Sequence, residues 1–111
     1  MTGYRKDTIY VLTRDAEKGF KLEKRAGRIA WDMDIRDEKF GFYRLPSGAW
    51  SAIDLATGLM IVNKPGTFDQ IVKAVFDMLP RIKAARETAY YHTAVERFDR
   101  LHYELTAVTV F

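Results

Sequence analysis

Cysteine is absent from the 111 residues. That excludes a disulfide, a thiolate metal site and a cysteine nucleophile. Stability has to come from packing, and the composition suits a reducing compartment. Long apolar runs are also missing. The first one, Ile9 to Leu12, is far shorter than a signal-peptide core or a membrane span. The expectation is a soluble, cytoplasmic protein with no membrane partner. The sequence has no internal repeat, low-complexity stretch, glycine-rich phosphate loop, nucleophile elbow or zinc finger. Nothing in it calls for a cofactor.

Apolar residues make up 48% of the chain and aromatics 14%, which argues against disorder and for one modest core in a single domain. The net charge of +3 is unevenly placed. Residues 1–28 hold eight basic and four acidic groups, residues 29–66 four and five, and residues 67–111 six of each. The basic excess therefore belongs to the first quarter of the chain, where an anionic partner would be sought.

Alternation at period two predicts strands over Thr8–Arg14, Phe20–Arg25 and from Ile29 to Ile35, with Gly27 as a turn or bulge. Asp15 to Gly19 suits a hairpin loop. Phe40–Leu45 and Ala49–Leu55 flank a tight turn at Pro46-Ser47-Gly48. Leu59–Asn63 is almost wholly apolar and is expected near the sheet centre. Thr67 and Gln70 make a capping-box pattern, and a helical stripe of apolar residues runs from Phe68 to about Tyr103. Pro80 should kink that stripe or divide it. Thr106–Phe111 is β-branched and suggests a terminal strand, paired with its own sheet or across a homodimer. The expected fold is α+β: an antiparallel meander of about five strands, then one long kinked helix or two helices, with a possible C-terminal strand.

Two features are candidates for binding. Lys18, Lys21, Lys24, Arg25 and Arg28 lie within eleven residues, and Arg44 and Lys64 add to them. Clustered cations beside aromatics suit phosphate and base contact, whereas lysines on an edge hairpin also serve to prevent edge-to-edge pairing. The second feature is the aromatic group Trp31, Phe40, Phe42, Tyr43 and Trp50. Buried aromatics build a core, and exposed ones anchor interfaces. Tyr43, Arg44 and Trp50 are the expected anchors for a protein partner.

The stretch Tyr43-Arg44-Leu45-Pro46-Ser47-Gly48-Ala49-Trp50-Ser51-Ala52-Ile53-Asp54, followed by Thr57-Gly58 and Gly66-Thr67-Phe68-Asp69, resembles the AP2-type and integrase N-terminal DNA-binding fold. The resemblance covers Tyr43 to Asp69. It implies three antiparallel strands packed on one helix, with DNA contact through the exposed sheet face by Arg44, Trp50 and Lys64.

Acidic groups give a further alternative. Asp32 and Asp34 share one strand face, with Asp37, Glu38 and Asp54 near in sequence or fold, and Asp37-Glu38-Lys39 fits the loose acid-x-lysine element of metal-dependent nucleases. His92, Glu96, Asp99 and His102 fall at helical spacings that suit metal ligands, although ordinary surface pairs such as Glu96 with Arg100 explain the same pattern. The leading expectation is a small, non-enzymatic intracellular binding module with a protein partner. Its size and composition suit an accessory or inhibitor protein of a mobile element. Nucleic-acid binding through the basic hairpin and sheet is the alternative, and a metal-dependent nuclease is the third.

Overall fold

Four strands and two helices follow in chain order: β1 (Gly3–Asp15), β2 (Gly19–Asp32), β3 (Phe40–Arg44), β4 (Trp50–Asp54), α1 (Phe68–Ala85) and α2 (Ala89–Val108). The structure, a computed structural model, describes residues 3–17, 19–32 and 40–108. The strands form one antiparallel sheet in sequence order, and the helices follow it, which is the expected α+β arrangement.

The sheet has four strands rather than about five, because two expected strands are one. β2 runs unbroken through Gly27. A Cβ at Gly27 would sit 2.8 Å from Ile9 Cδ1 and 2.9 Å from the Phe42 carbonyl oxygen. Glycine there permits close packing inside a strand, not a turn. β1 begins at Gly3, ahead of the expected Thr8, and pairs along its whole length with β2.

Leu59–Asn63 is not a central strand. It runs along the outer edge of β4, held by Asp54 N–H to the Leu59 carbonyl and Ile61 N–H to the Ala52 carbonyl, both 2.9 Å. Its apolar content is accounted for by one side alone. Val62 is buried and Ile61 packs beside α1, while Met60 is 58% exposed.

α1 starts on the expected capping box. Thr67 Oγ1 accepts from Gln70 N–H, and Gln70 Oε1 accepts from Thr67 N–H. Pro80 does not end the helix. It lies on the exposed side of α1, away from the packed core. The chain turns instead at residues 86–88. Thr88 Oγ1 accepts from Tyr91 N–H at 3.2 Å and caps α2. The expected C-terminal strand is helix as far as Val108, and residues 109–111 lie outside the described residues. Thr106 donates its hydroxyl to the His102 carbonyl at 3.0 Å, which lets a β-branched residue sit in the last turn. Pairing of that strand across a dimer therefore loses its basis.

Leu12, on the first strand, donates its N–H to the Gly58 carbonyl just beyond the last strand, at 2.9 Å. The sheet is curled until its two sides meet, as strong strand coiling allows. Ile9, Val11, Tyr43 and Ile53 fill the inside of the curl, with Ile29, Leu45 and Leu55 around them. Phe40, Phe42, Ala52 and Val62 face outward onto Ile71 and Val75 of α1. α2 crosses the β1–β2 hairpin on that same outer side, where His102 meets the Tyr10 ring edge-on at 4.7 Å.

Gly58 closes the curl with φ at +71°, and a Cβ there would lie 3.0 Å from Leu12 N and 3.1 Å from the Tyr10 carbonyl oxygen. Both neighbours are backbone. Gly58→Ala should therefore lower unfolding stability by about 2 kcal/mol or more, measured by urea denaturation. An unchanged midpoint would mean that the curl is not closed there.

Candidate binding cleft

Antiparallel register decides which basic residues meet. Paired residues share a sheet face, and neighbours along a strand alternate. Lys6 pairs with Arg28, Arg28 with Phe42, and Arg44 with Trp50. These side chains all project from the outer, helix-bearing face, at the end of the sheet where α1 begins. There Lys6, Arg28, Arg44 and Trp50 line a cleft of about 590 Å³.

Trp50 fixes one wall. Its N–H donates to the Gly66 carbonyl at 2.7 Å, and its carbonyl accepts from Gly66 N–H at 3.2 Å. This pair of backbone hydrogen bonds sets the start of α1 beside β4, so that Phe68 meets Trp50 edge-on at 4.9 Å and Phe42 at 5.6 Å. The Arg28 guanidinium lies in the angle of that aromatic pair, 4.7 Å from the Trp50 ring centre and 4.8 Å from that of Phe68. Both rings attract the cation through their negative faces. The Pro46–Gly48 turn holds Arg44, whose Nε donates to the Gly48 carbonyl at 3.1 Å. Asp7, also in the lining, pairs with Arg5 at 3.2 Å. Among the described residues, Lys6, Arg28 and Arg44 take part in no ion pair. Lys6 and Arg44 are exposed, and Arg28 and Trp50 are half-buried.

Three expected site residues, Arg28, Arg44 and Trp50, thus come together. Lys24 is on the same face, farther along β2 opposite Tyr10. Lys21 and Arg25 point to the other face, where Glu23 pairs with both. The basic hairpin is therefore not one patch. Alternation divides it, and a carboxylate offsets part of the charge of one half. Lys64 is exposed in the turn before α1, outside the cleft lining. Lys18 lies outside the described residues.

Tyr43 is 4% exposed and packs inside the curl with Ile9 and Ile53. It is a core residue and is not accessible as an interface anchor. Ser51 and Ile53, on the same sheet face, are also buried, so β3 and β4 offer no open sheet face opposite the helix. Lys6 precedes Thr8, where the predicted first strand begins, and so falls outside the site expected from the sequence. The signal was present: a loop closing Asp15 on Gly19 sets a register that carries Lys6 opposite Arg28.

A second polar constellation is structural. Asp54 is 5% exposed. Its Oδ1 accepts from Arg86 Nη2 at 3.1 Å, and its Oδ2 accepts from Thr57 Oγ1 at 2.9 Å and from the Tyr91 hydroxyl at 2.8 Å. Burial and the neighbouring Asp54 carboxylate push the Tyr91 hydroxyl up from its usual 10.0 to about 12. Asp54, once considered with the acidic group, is thus held within a set of protein donors. Asp34, Asp37, Glu38 and Lys39 lie outside the described residues, and so does the side chain of Asp32. On α2, the His102 ring packs against Tyr10 and Phe98, while His92, Glu96 and Asp99 are exposed. Among the described residues, no three His, Asp or Glu side chains are grouped to hold a metal ion. No described helix is long and apolar enough to cross a membrane.

Beside Asp54 and Tyr91 a shallow apolar depression of about 270 Å³ opens between Met60 and Ile61 at the sheet edge and Met78 and Ile82 of α1. Comparison with protein families, curated proteins and solved structures gives no significant match.

Breaking a buried ion pair leaves its partner uncompensated. Asp54→Asn should cost about 3 kcal/mol or more in urea denaturation. Tyr91 holds its proton more tightly folded than unfolded. Its contribution is complete below pH 10 and is lost as pH rises through about 12. Tyr91→Phe should cost about 1.5 kcal/mol or more at neutral pH and should flatten the loss of stability between those two values. An unchanged alkaline profile would exclude Tyr91 as its source.

Proposed function

We propose that the protein is a small, non-catalytic binding module that holds a polyanionic stretch of a macromolecule in the cleft of Lys6, Arg28, Arg44 and Trp50. The observation that carries this reading is the convergence of three cations, none of them in an ion pair among the described residues, beside a half-buried indole. Cations that meet no carboxylate raise the local potential and attract negative charge. An aromatic wall adds contact area at low entropic cost.

A non-catalytic role is supported by Asp54, whose two oxygens are taken by Arg86, Thr57 and Tyr91. Such a carboxylate is poorly placed to bind Mg²⁺ or to accept a substrate proton. A protein partner with an acidic segment is the second form of this reading. It is favoured by the types of residue present, since tryptophan and arginine dominate interface energies. The cytoplasm is the proposed setting, because a chain without cysteine has no disulfide to lose there.

Retention on immobilised heparin tests the surface. The doubly substituted Lys6→Gln/Arg44→Gln protein should elute at clearly lower salt than the parent, with its thermal midpoint unchanged because both side chains are exposed. Lys21→Gln/Arg25→Gln, on the other face, should leave elution nearly as it was. If the second pair governs retention, the hairpin is the contact surface and the cleft is not.

A further inference from the structure

Building on the cleft as the polyanion site, we infer that its ligand is single-stranded nucleic acid, with a base packed on Trp50 and the phosphates held by Lys6 and Arg44. The cleft joins two chemistries that few ligands offer together. Its charge calls for repeated anions. Its indole calls for a flat, apolar surface reachable from the side.

Each alternative ligand meets only one of these demands. An acidic peptide supplies carboxylates but no flat face at each charged step. A duplex supplies phosphates, but its bases are stacked on one another and present only their edges. A single strand presents an unstacked base beside every phosphate, and aromatic stacking tolerates any base.

The layout fits this ligand. Lys6 and Arg44 stand on β1 and β3, two strand spacings apart with β2 between them, about 10 Å at the usual separation. A strand of nucleic acid can therefore lie across the face and meet both cations. Between them sits Arg28, its guanidinium 4.7 Å from the ring centre of Trp50 and 4.8 Å from that of Phe68. A base packed on Trp50 lies beside that cation, which adds a third positive charge to the cleft. The two backbone hydrogen bonds between Trp50 and Gly66 hold the main chain at this position, and the contacts with Phe68 and Arg28 hold the indole ring before the ligand arrives, which lowers the entropic cost of binding.

Fluorescence anisotropy with labelled oligo-dT and oligo-rU of about 12 nucleotides tests the inference, with a duplex and polyglutamate as comparison ligands. The full chain is used, and Trp31→Phe makes Trp50 the sole indole. If that variant does not fold, anisotropy with Trp50→Phe replaces the indole signal. The expected result is binding to at least one single strand, with quenching of Trp50. Affinity should fall with a log–log salt slope of about −1.4, the value for two phosphates on a single strand, or about 7-fold between 50 and 200 mM salt. Lys6→Gln and Arg44→Gln should each reduce the slope by about 0.7. Trp50→Phe should weaken binding with the slope kept. Equal binding and equal quenching by the duplex or by polyglutamate would overturn the inference. Heparin retention through the cleft without oligonucleotide binding would overturn it too, while leaving the polyanion site standing. Loss of both would remove the site itself.

Discussion

One buried carboxylate ties together the parts that the chain makes separately. Asp54 ends β4. Thr57, in the loop that follows, bonds to it, and so do Arg86 at the turn between the helices and Tyr91 in the first turns of α2. A carboxylate held out of water is tolerated only with such partners. Satisfying it therefore fixes the end of the sheet, the loop and the helical turn in one arrangement. The same loop presents the Gly58 carbonyl to Leu12, so the curl of the sheet and the placement of the helix pair share an anchor. The Arg86 guanidinium also lies 5.4 Å from the Phe40 ring centre, which joins the anchor to the outer core.

β4 carries this anchor at one end and the cleft at the other. Trp50, five residues along the strand counting both ends, pairs with Gly66 and sets the start of α1. The buried ionic contact and the proposed recognition surface thus lie at opposite ends of one short strand, with the buried residues Ser51, Ala52 and Ile53 between them. The three cations of the cleft meet no carboxylate among the described residues. Charge is separated across β2 as well. Glu23 pairs with Lys21 and Arg25 on the inner face and offsets part of their charge, while Arg28 on the outer face is held by rings. Rings steady a guanidinium without cancelling its charge, which is what distinguishes the two faces as binding surfaces.

Local signals were legible wherever local chemistry decides the structure. The Thr67–Gln70 capping box, the Pro46–Gly48 turn and the loop closing at Gly19 all follow from residue types at short spacing, and each is present. Features set by distant packing were not legible. Gly27 reads as a punctuation mark, yet its meaning is the nearness of Ile9 and Phe42. Pro80 reads as a break, yet its exposed side tolerates it, and Thr88 with Arg86 sets the turn instead. Thr106 to Val108 has strand composition but continues a helix already packed along the hairpin. Part of the site could be read from types alone, as Trp50, Arg44 and Arg28 were. Tyr43 could not be separated from them, since only the curl of the sheet puts it inside. Lys6 required the register of the hairpin. The Asp54 network, spanning 37 positions to Tyr91, leaves no sequence pattern at all.

The proposed contact surface is one outer-face cleft, and not the hairpin as a whole. Two-dimensional amide and indole NMR of the labelled protein, titrated with a short single-stranded oligonucleotide, tests it most directly. The account predicts that the amides of Lys6, Thr8, Arg28 and Arg44 and the indole N–H of Trp50 shift together and saturate with one affinity, while Lys21, Arg25 and the residues around Asp54 stay in place. Shifts centred on Lys21 and Arg25, or on the apolar depression at Met60 and Met78, with the Trp50 indole unmoved, would contradict it.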